Sequence, residues 1–219
     1  MQNFYCENLS FYYGKKIVFK DVNLSFNKGD VVGLVGANGS GKTTLLKILA
    51  KINGRASNMG NYSVSFLIER PMFYPFLTGN QNLHYFEMLC EKILYKSEEL
   101  LFLLNLQNVK DIKYNKYSCG MQMKLAIAKC LLKDADIYLF DEPLNGLDVN
   151  GVYLFRKVIK LLCEHEKIVV ISSHILSELN YYCNKAIIIG DDHNCRCYNL
   201  KSPLGNQNFE KLLLGDIDD

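Results

Sequence analysis

The chain has 219 residues, 49% of them hydrophobic, and a formal net charge of +2. That length suffices for one large domain with its own core, and so small a charge leaves no electrostatic footprint for nucleic acid or an anionic membrane surface. No apolar run nears the ~20 residues that span a bilayer, and Met1-Gln2-Asn3-Phe4-Tyr5-Cys6-Glu7 lacks the pattern of a secretory signal.

Phe4 to Phe11 and Ile17 to Phe26 are rich in aromatic and β-branched residues and read as strands, with turns at Gly14-Lys15-Lys16 and Asn27-Lys28-Gly29-Asp30. They lead into the apolar run Val31–Val35, which suggests an antiparallel layer laid against the core that this run begins. Tyr12 and Tyr13 stand just before Gly14. An aromatic there either stacks on an adenine ring through its π-face or packs on the core as a strand-end tyrosine.

Gly36-Ala37-Asn38-Gly39-Ser40-Gly41-Lys42-Thr43 follows that run and opens into Thr44-Leu45-Leu46-Lys47-Ile48-Leu49. The order is buried strand, tight glycine turn, helix start. Small residues let the backbone close around a polyphosphate, and the N–H groups of the loop and the helix N-terminus point inward at the anion. Lys42 is placed to reach the β- and γ-phosphates, and the Thr43 hydroxyl to ligate Mg²⁺. The strand and helix on either side set this loop apart from a chance glycine-rich turn. Apolar residues at 45, 46, 48, 49 and 52 give the helix a core-facing stripe.

Tyr62 to Ile68 reads as a further strand ending at Glu69. In Arg70-Pro71-Met72-Phe73-Tyr74-Pro75-Phe76-Leu77-Thr78, two prolines in five residues forbid a regular helix or central strand. The segment is expected to expose Phe73, Tyr74, Phe76 and Leu77. A loop this apolar either covers a core or meets a partner. Asn80–Cys90 and Ser97–Leu106 read as helices, with Ser97 as N-cap and Glu98 and Glu99 favourable in the first turn. Residues 70–130 are thus mainly helical, inserted between strand-rich halves. Ser118 then caps a helix running through Lys129; with Gly120 close by, its start is either a second anion site in the same chain or an ordinary capped helix.

Ile137-Tyr138-Leu139-Phe140 is apolar enough to be a strand buried on both faces, and it ends in Asp141-Glu142. Ligands bind at the carboxyl ends of such strands. Asp141 suits Mg²⁺, directly or through water, and Glu142 suits polarising the attacking water. Asp148 caps a helix from Val149 to His165. The strand Ile168–Ser172 delivers Ser173-His174 to the same edge, where His174 is placed to contact a γ-phosphate and hold the water. Lys185–Gly190 and Arg196–Leu200 read as closing strands around the turn Asp191-Asp192-His193-Asn194, before a short polar tail. The eight cysteines are scattered, and Cys195-Arg196-Cys197 has the wrong spacing for zinc, so free thiols in a reducing cytoplasm are expected.

Taken together, these residues resemble the nucleotide-binding subunit of an ATP-binding-cassette (ABC) transporter over nearly the whole chain. In that family's terms, Tyr13 holds the adenine-stacking position and Gly36–Thr43 the Walker A loop, with Thr44 directly after it. Glu69 stands at the Q-loop, and Ser118-Cys119-Gly120-Met121-Gln122 is the signature motif. Asp141 and Glu142 match Walker B and the catalytic acid, Asp148 the D-loop and His174 the switch histidine. Two positions depart from the pattern: Glu69 replaces a glutamine and Cys119 a glycine. The Ser-x-Gly-Met form, with Ile68-Glu69 before the Phe-Tyr-Pro-x-Leu-Thr loop, looks like cassettes of bacitracin and lantibiotic resistance and peptide-toxin export.

The resemblance implies an α/β fold: a RecA-like P-loop NTPase core with an antiparallel β layer (residues 1–69 and 131–205), an inserted α-helical subdomain (70–130) and a tail (206–219). It implies ATP and Mg²⁺ as cofactors, the cation held by Thr43, Glu69 and Asp141. It also implies head-to-tail pairing with a second ABC subunit, the same or different, that covers the nucleotide with Ser118 and Gly120. A separate membrane permease would dock through the 70–95 region, placing the chain in the cytoplasm on the inner face of the membrane, with no nucleic-acid partner. Other classes fit less well. Translation-factor cassettes carry two such domains in one chain, and genome-maintenance cassettes carry a long coiled coil between Walker A and the signature. A switch GTPase or small kinase would share only the phosphate loop. A soluble non-transport ATPase or a regulatory interaction module is the remaining alternative, and Glu142 and His174 speak against a dead site.

Overall fold

The computed structural model describes residues 4–52, 60–69, 72–190, 192, 194–200 and 209. Arg70, Pro71, Asp191, His193 and, apart from Phe209, the expected tail 206–219 lie outside the described residues.

Strands β1 (Phe4–Tyr13) and β2 (Lys16–Phe26) pair antiparallel across the turn at Gly14. Alternation turns Phe4 and Cys6 inward, and then the register shifts between Cys6 and Leu9. Asn8 sits in that irregularity at φ 52°, so Leu9 rather than Asn8 returns to the buried face. The two strands form a sheet of their own.

The second sheet has six strands: β3 (Val31–Gly36), β4 (Val64–Leu67), β5 (Ile137–Asp141), β6 (Ile168–Ser172), β7 (Lys185–Ile189) and β8 (Cys195–Asn199), in the spatial order β4-β5-β6-β3-β7-β8. The first five run parallel and β8 closes the edge antiparallel. The unbroken apolar runs of β3, β5, β6 and β7 follow from burial on both faces. Their alternate residues divide between two cores. Val32, Leu34, Leu139, Val170 and Ile187 face the β1–β2 layer and helix α1 (Lys42–Leu49). Val31, Val35, Phe140, Ile171 and Ile188 face the remaining helices.

Those helices are α2 (Gly79–Met88), α3 (Ser97–Leu103), α4 (Cys119–Leu132), α5 (Val149–Glu164) and α6 (Leu176–Tyr182). Helices α2, α3 and α4 pack on one another through Leu83, Leu100, Leu101 and Leu125, all fully buried. Helix α2 begins at a reciprocal cap between Thr78 and Gln81. Among the described residues, no helix is long and apolar enough to cross a membrane, and all eight cysteines are free.

Several local expectations are corrected. Ser97 is not the cap of α3: Lys96 takes that place, its N–H donating to Glu99 at 2.7 Å, while the buried Ser97 hydroxyl donates to the Glu87 carboxylate. The same helix stops at Leu103 rather than Leu106, because Asn105 turns left-handed at φ 55°. Ile52 lies beyond the end of α1 and is half exposed, so it leaves the apolar stripe. The seven-residue α6 had no sequence signal strong enough to predict it, and within the nominal tail Phe209 is fully buried in the core.

Candidate functional site

All the parallel strands end at one edge of the sheet, and the site is assembled there. The turn from Gly36 to Lys42 takes φ values of 80° at Gly39 and 110° at Gly41, conformations that only glycine enters without strain. A Cβ on Gly41 would also lie 2.9 Å from the Phe19 ring. Gly41 leads directly into α1 with no side-chain cap, so the first-turn N–H groups are available to a ligand. The Ser40 hydroxyl is buried there without a hydrogen-bond partner.

Lys42 is almost fully buried, and its Nζ donates to the carbonyls of Gly36 at 2.7 Å and Ala37 at 3.1 Å. Burial pushes this ammonium below the usual lysine range, and the charges of Glu142 and Asp141 oppose the shift. An orphaned hydroxyl, unpaired helix N–H groups and a buried ammonium make a donor set fitted to a polyphosphate.

The neighbouring Thr43 Oγ1 donates to Asp141 Oδ2 at 2.6 Å, and Ser172 Oγ donates to Asp141 Oδ1 at 2.5 Å. Strand register makes this possible, since Asp141 lies beside Ser172 on β5 and β6. Glu142 then turns left-handed at φ 48°, its N–H held by the Ser172 carbonyl and hydroxyl at 3.2 and 3.0 Å. That turn brings Glu142 Oε1 within 3.0 Å of His174 Nε2, while the His174 N–H donates to Glu142 Oε2 at 3.3 Å.

Thr43, Glu69, Cys119, Asp141, Glu142 and Gly146 all line one cavity of about 430 Å³. Among the described residues, no group of three or more His, Cys, Asp or Glu could hold a metal ion by itself. The hydroxyl of Thr43 and the carboxylate of Asp141 are hard oxygen donors, which suit Mg²⁺ when phosphates and water complete its shell. Glu69 lines the cavity, but its Oε1 pairs with Lys47 Nζ at 2.5 Å. The Lys47 ammonium is raised above its usual range, chiefly by that hydrogen bond.

Other predicted residues stand apart from the loop. Tyr13 closes β1, about half exposed, with its ring edge-on to Phe11 at 5.1 Å. Thr44 sits in the first turn of α1. Ser118 caps α4 by accepting from the Met121 N–H at 3.3 Å, and Gly120 packs close to the Gly146 carbonyl. Among the described residues, no hydrogen bond ties Ser118, Cys119, Gly120 or Met121 to the phosphate loop. Asp148 caps α5 through the Gly151 N–H at 2.7 Å, which with Lys124 keeps its carboxyl below the usual range. Ser172 and Lys47 were missed from sequence. The signal for Ser172 was a polar residue ending an otherwise apolar strand; for Lys47 it was a cation one helical turn past Thr43.

The loop after Glu69 differs from expectation. Phe73 is buried, with its ring against Phe86 at 5.6 Å and Tyr114 at 4.9 Å, and Leu77 is only partly exposed. Tyr74 and Phe76 do face solvent. The fully buried Asn82 anchors the turn: its Oδ1 accepts from Tyr74 N–H at 2.8 Å, and its Nδ2 donates to the Tyr74 and Thr78 carbonyls at 3.0 Å each.

Comparison with known proteins follows the same line. A family model described as ABC transporter matches residues 19–145. The bacitracin transport ATP-binding protein BcrA of Enterococcus faecalis is 33% identical over 203 residues, covering 85% of this chain and 66% of BcrA. The lantibiotic transport ATP-binding protein SrtF of Streptococcus pyogenes is 29% identical over 225 residues, covering 96% of each. The chain spans slightly less than two thirds of the length of BcrA and of several other curated relatives. A solved structure described as that of an ATP binding subunit of an ABC transporter superposes with a TM-score of 0.82 at 22% identity, over 98% of this chain and 99% of that one, a likeness of fold.

Proposed function

This chain belongs to the ABC transporter family of ATP-binding proteins, and we propose that it binds ATP with Mg²⁺ and hydrolyses it to power a separate membrane permease. The observation that carries the reading is the cluster at the strand ends: Asp141 hydrogen-bonded to Thr43 and Ser172, with the Glu142–His174 pair beside it.

In this reading Lys42 exchanges its two carbonyl partners for phosphate oxygens, and the loop N–H groups and Ser40 hydroxyl take the rest. Thr43 and Asp141, with Glu69 at the cavity wall, would hold Mg²⁺. The cation, when bound, supplies charge stabilisation to the transferring phosphoryl group. Glu142 polarises the attacking water and accepts its proton. His174 orients Glu142 through the 3.0 Å contact and would contact the γ-phosphate. Tyr13 offers its half-exposed ring to the adenine.

Residues 70–130 act as a helical subdomain on the core formed by 1–69 and 131–205. Ser118, Cys119, Gly120 and Met121 would act on ATP held by a second ABC subunit placed head to tail, with Asp148 at the seam. The permease would dock on the 70–95 region, where Tyr74, Phe76, Met88 and Leu89 are exposed, and would hold the chain on the cytoplasmic face of the membrane. The relatives BcrA and SrtF support antimicrobial or cytolytic peptides, or similar compounds, as the cargo.

The test is phosphate release from ATP by the purified chain. Mg²⁺-dependent turnover that rises more steeply than protein concentration is expected, since two copies complete each site. No turnover with Mg²⁺ present, under conditions where ATP binds, would overturn the hydrolytic reading.

A further inference from the structure

Glu69 lies just past β4 with φ at 64°, a left-handed conformation uncommon for a residue with a side chain. Its carboxylate does not point to Thr43 and Asp141 in a hydrogen bond; its Oε1 sits 2.5 Å from Lys47 Nζ. Lys47 is four residues beyond Thr43 on α1, so the two side chains rise from the same face of the helix. Three carboxylates, those of Glu69, Asp141 and Glu142, border the one cavity. The cations nearest to it are engaged differently. Lys42 is held by two backbone carbonyls, which leaves Lys47 to balance Glu69.

A carboxylate is a stronger ligand for a hard cation than a neutral amide. Left unrestrained, Glu69 would add a full negative charge to the oxygens of Thr43 and Asp141. We propose that Lys47 is a positioning residue for Glu69: it holds the carboxylate aside and yields it only in competition with an arriving divalent cation. The inference rests on the reading that Glu69 belongs to the cation site. Lys47 thereby sets the concentration at which the cation engages Glu69, and it takes the carboxylate back when the cation leaves. Both partners are partly exposed, at 26% and 67% of their side chains, so the pair is a weak latch rather than a lock.

The test uses the full chain and a MANT-labelled, non-hydrolysable ATP analogue at fixed concentration, with Mg²⁺ titrated and the half-point read from fluorescence. Glu69→Gln should raise the half-point. Lys47→Gln should lower it about two- to fivefold, the range that a partly exposed ion pair supplies, while Lys47→Arg keeps the parent value. In the Glu69→Gln background, Lys47→Gln should change nothing. An equal shift in both backgrounds would show only the general effect of removing a positive charge and would overturn the proposal, as would no shift in the parent. If Glu69→Gln alone leaves the half-point unchanged, the reading of Glu69 as part of the cation site fails, and the inference with it.

Discussion

Thr43 and Asp141 stand 98 positions apart in the chain, yet Thr43 Oγ1 donates a 2.6 Å hydrogen bond to Asp141 Oδ2. The hydroxyl comes from the first turn of a helix and the carboxylate from the end of a buried strand two places away in the sheet. Ser172, on the strand between them, supports the other Asp141 oxygen. The relationship brings the Gly36–Thr43 turn and the end of the acidic strand together, and it yields the first prediction.

Ser172→Ala should cost stability as well as cation binding. The fully buried hydroxyl donates to Asp141 and accepts from the Glu142 N–H. Hydrogen bonds to charged groups are worth about 1.5–3 kcal/mol each, so denaturant unfolding should show a loss of that order. Mg²⁺-dependent nucleotide binding should weaken in the same variant, because Asp141 is no longer held in place. An unchanged unfolding midpoint would mean that Asp141 finds another partner.

The loop after Glu69 should separate packing from docking. Phe73→Ala removes a buried ring set between Phe86 and Tyr114 and should cost about 3–5 kcal/mol. Tyr74→Ser with Phe76→Ser truncates two exposed rings and should cost far less, while permease co-purification and transport fail. Thermal melts and co-purification of the variants check both parts. A double variant that melts as low as Phe73→Ala, or one that still co-purifies with the permease, would contradict the docking role.

Lys42→Ala should weaken ATP binding by roughly 10- to 100-fold, since a charge-assisted contact contributes about 1.5–3 kcal/mol. The ammonium is buried against its desolvation cost and donates to two backbone carbonyls. Equilibrium titration with ATP and Mg²⁺ measures the change. Equal affinity in the variant would remove the phosphate loop from the account.

Much of the site was legible because each piece has a local chemical signature. The glycine run between an apolar strand and a helix marks Gly36–Thr43 as a tight strand-to-helix turn, and four apolar residues before two acids mark Asp141 and Glu142 as strand-end groups. His174 was readable for the same reason. Ser172 was not, because its importance lies in the register that sets it beside Asp141, which no local pattern encodes. Lys47 was hidden likewise: its role depends on where the chain returns after residues 50–63. The aromatics of the loop looked alike in sequence, but tertiary packing buries Phe73 and leaves Phe76 out. Ser97 was misread because a competing partner, Glu87, took its hydroxyl away from the helix start.

In the proposed function, the chain hydrolyses ATP with Glu142 as the group that activates water. The most direct test is Glu142→Gln, with ATP binding and phosphate release measured on one preparation with Mg²⁺. The amide keeps the shape of the side chain but cannot accept the proton, so binding should persist while turnover falls by about 10²- to 10⁴-fold, and an ATP-dependent dimer should accumulate on size exclusion. Turnover at the parent rate, with binding intact, would contradict the account and move the catalytic role to another residue.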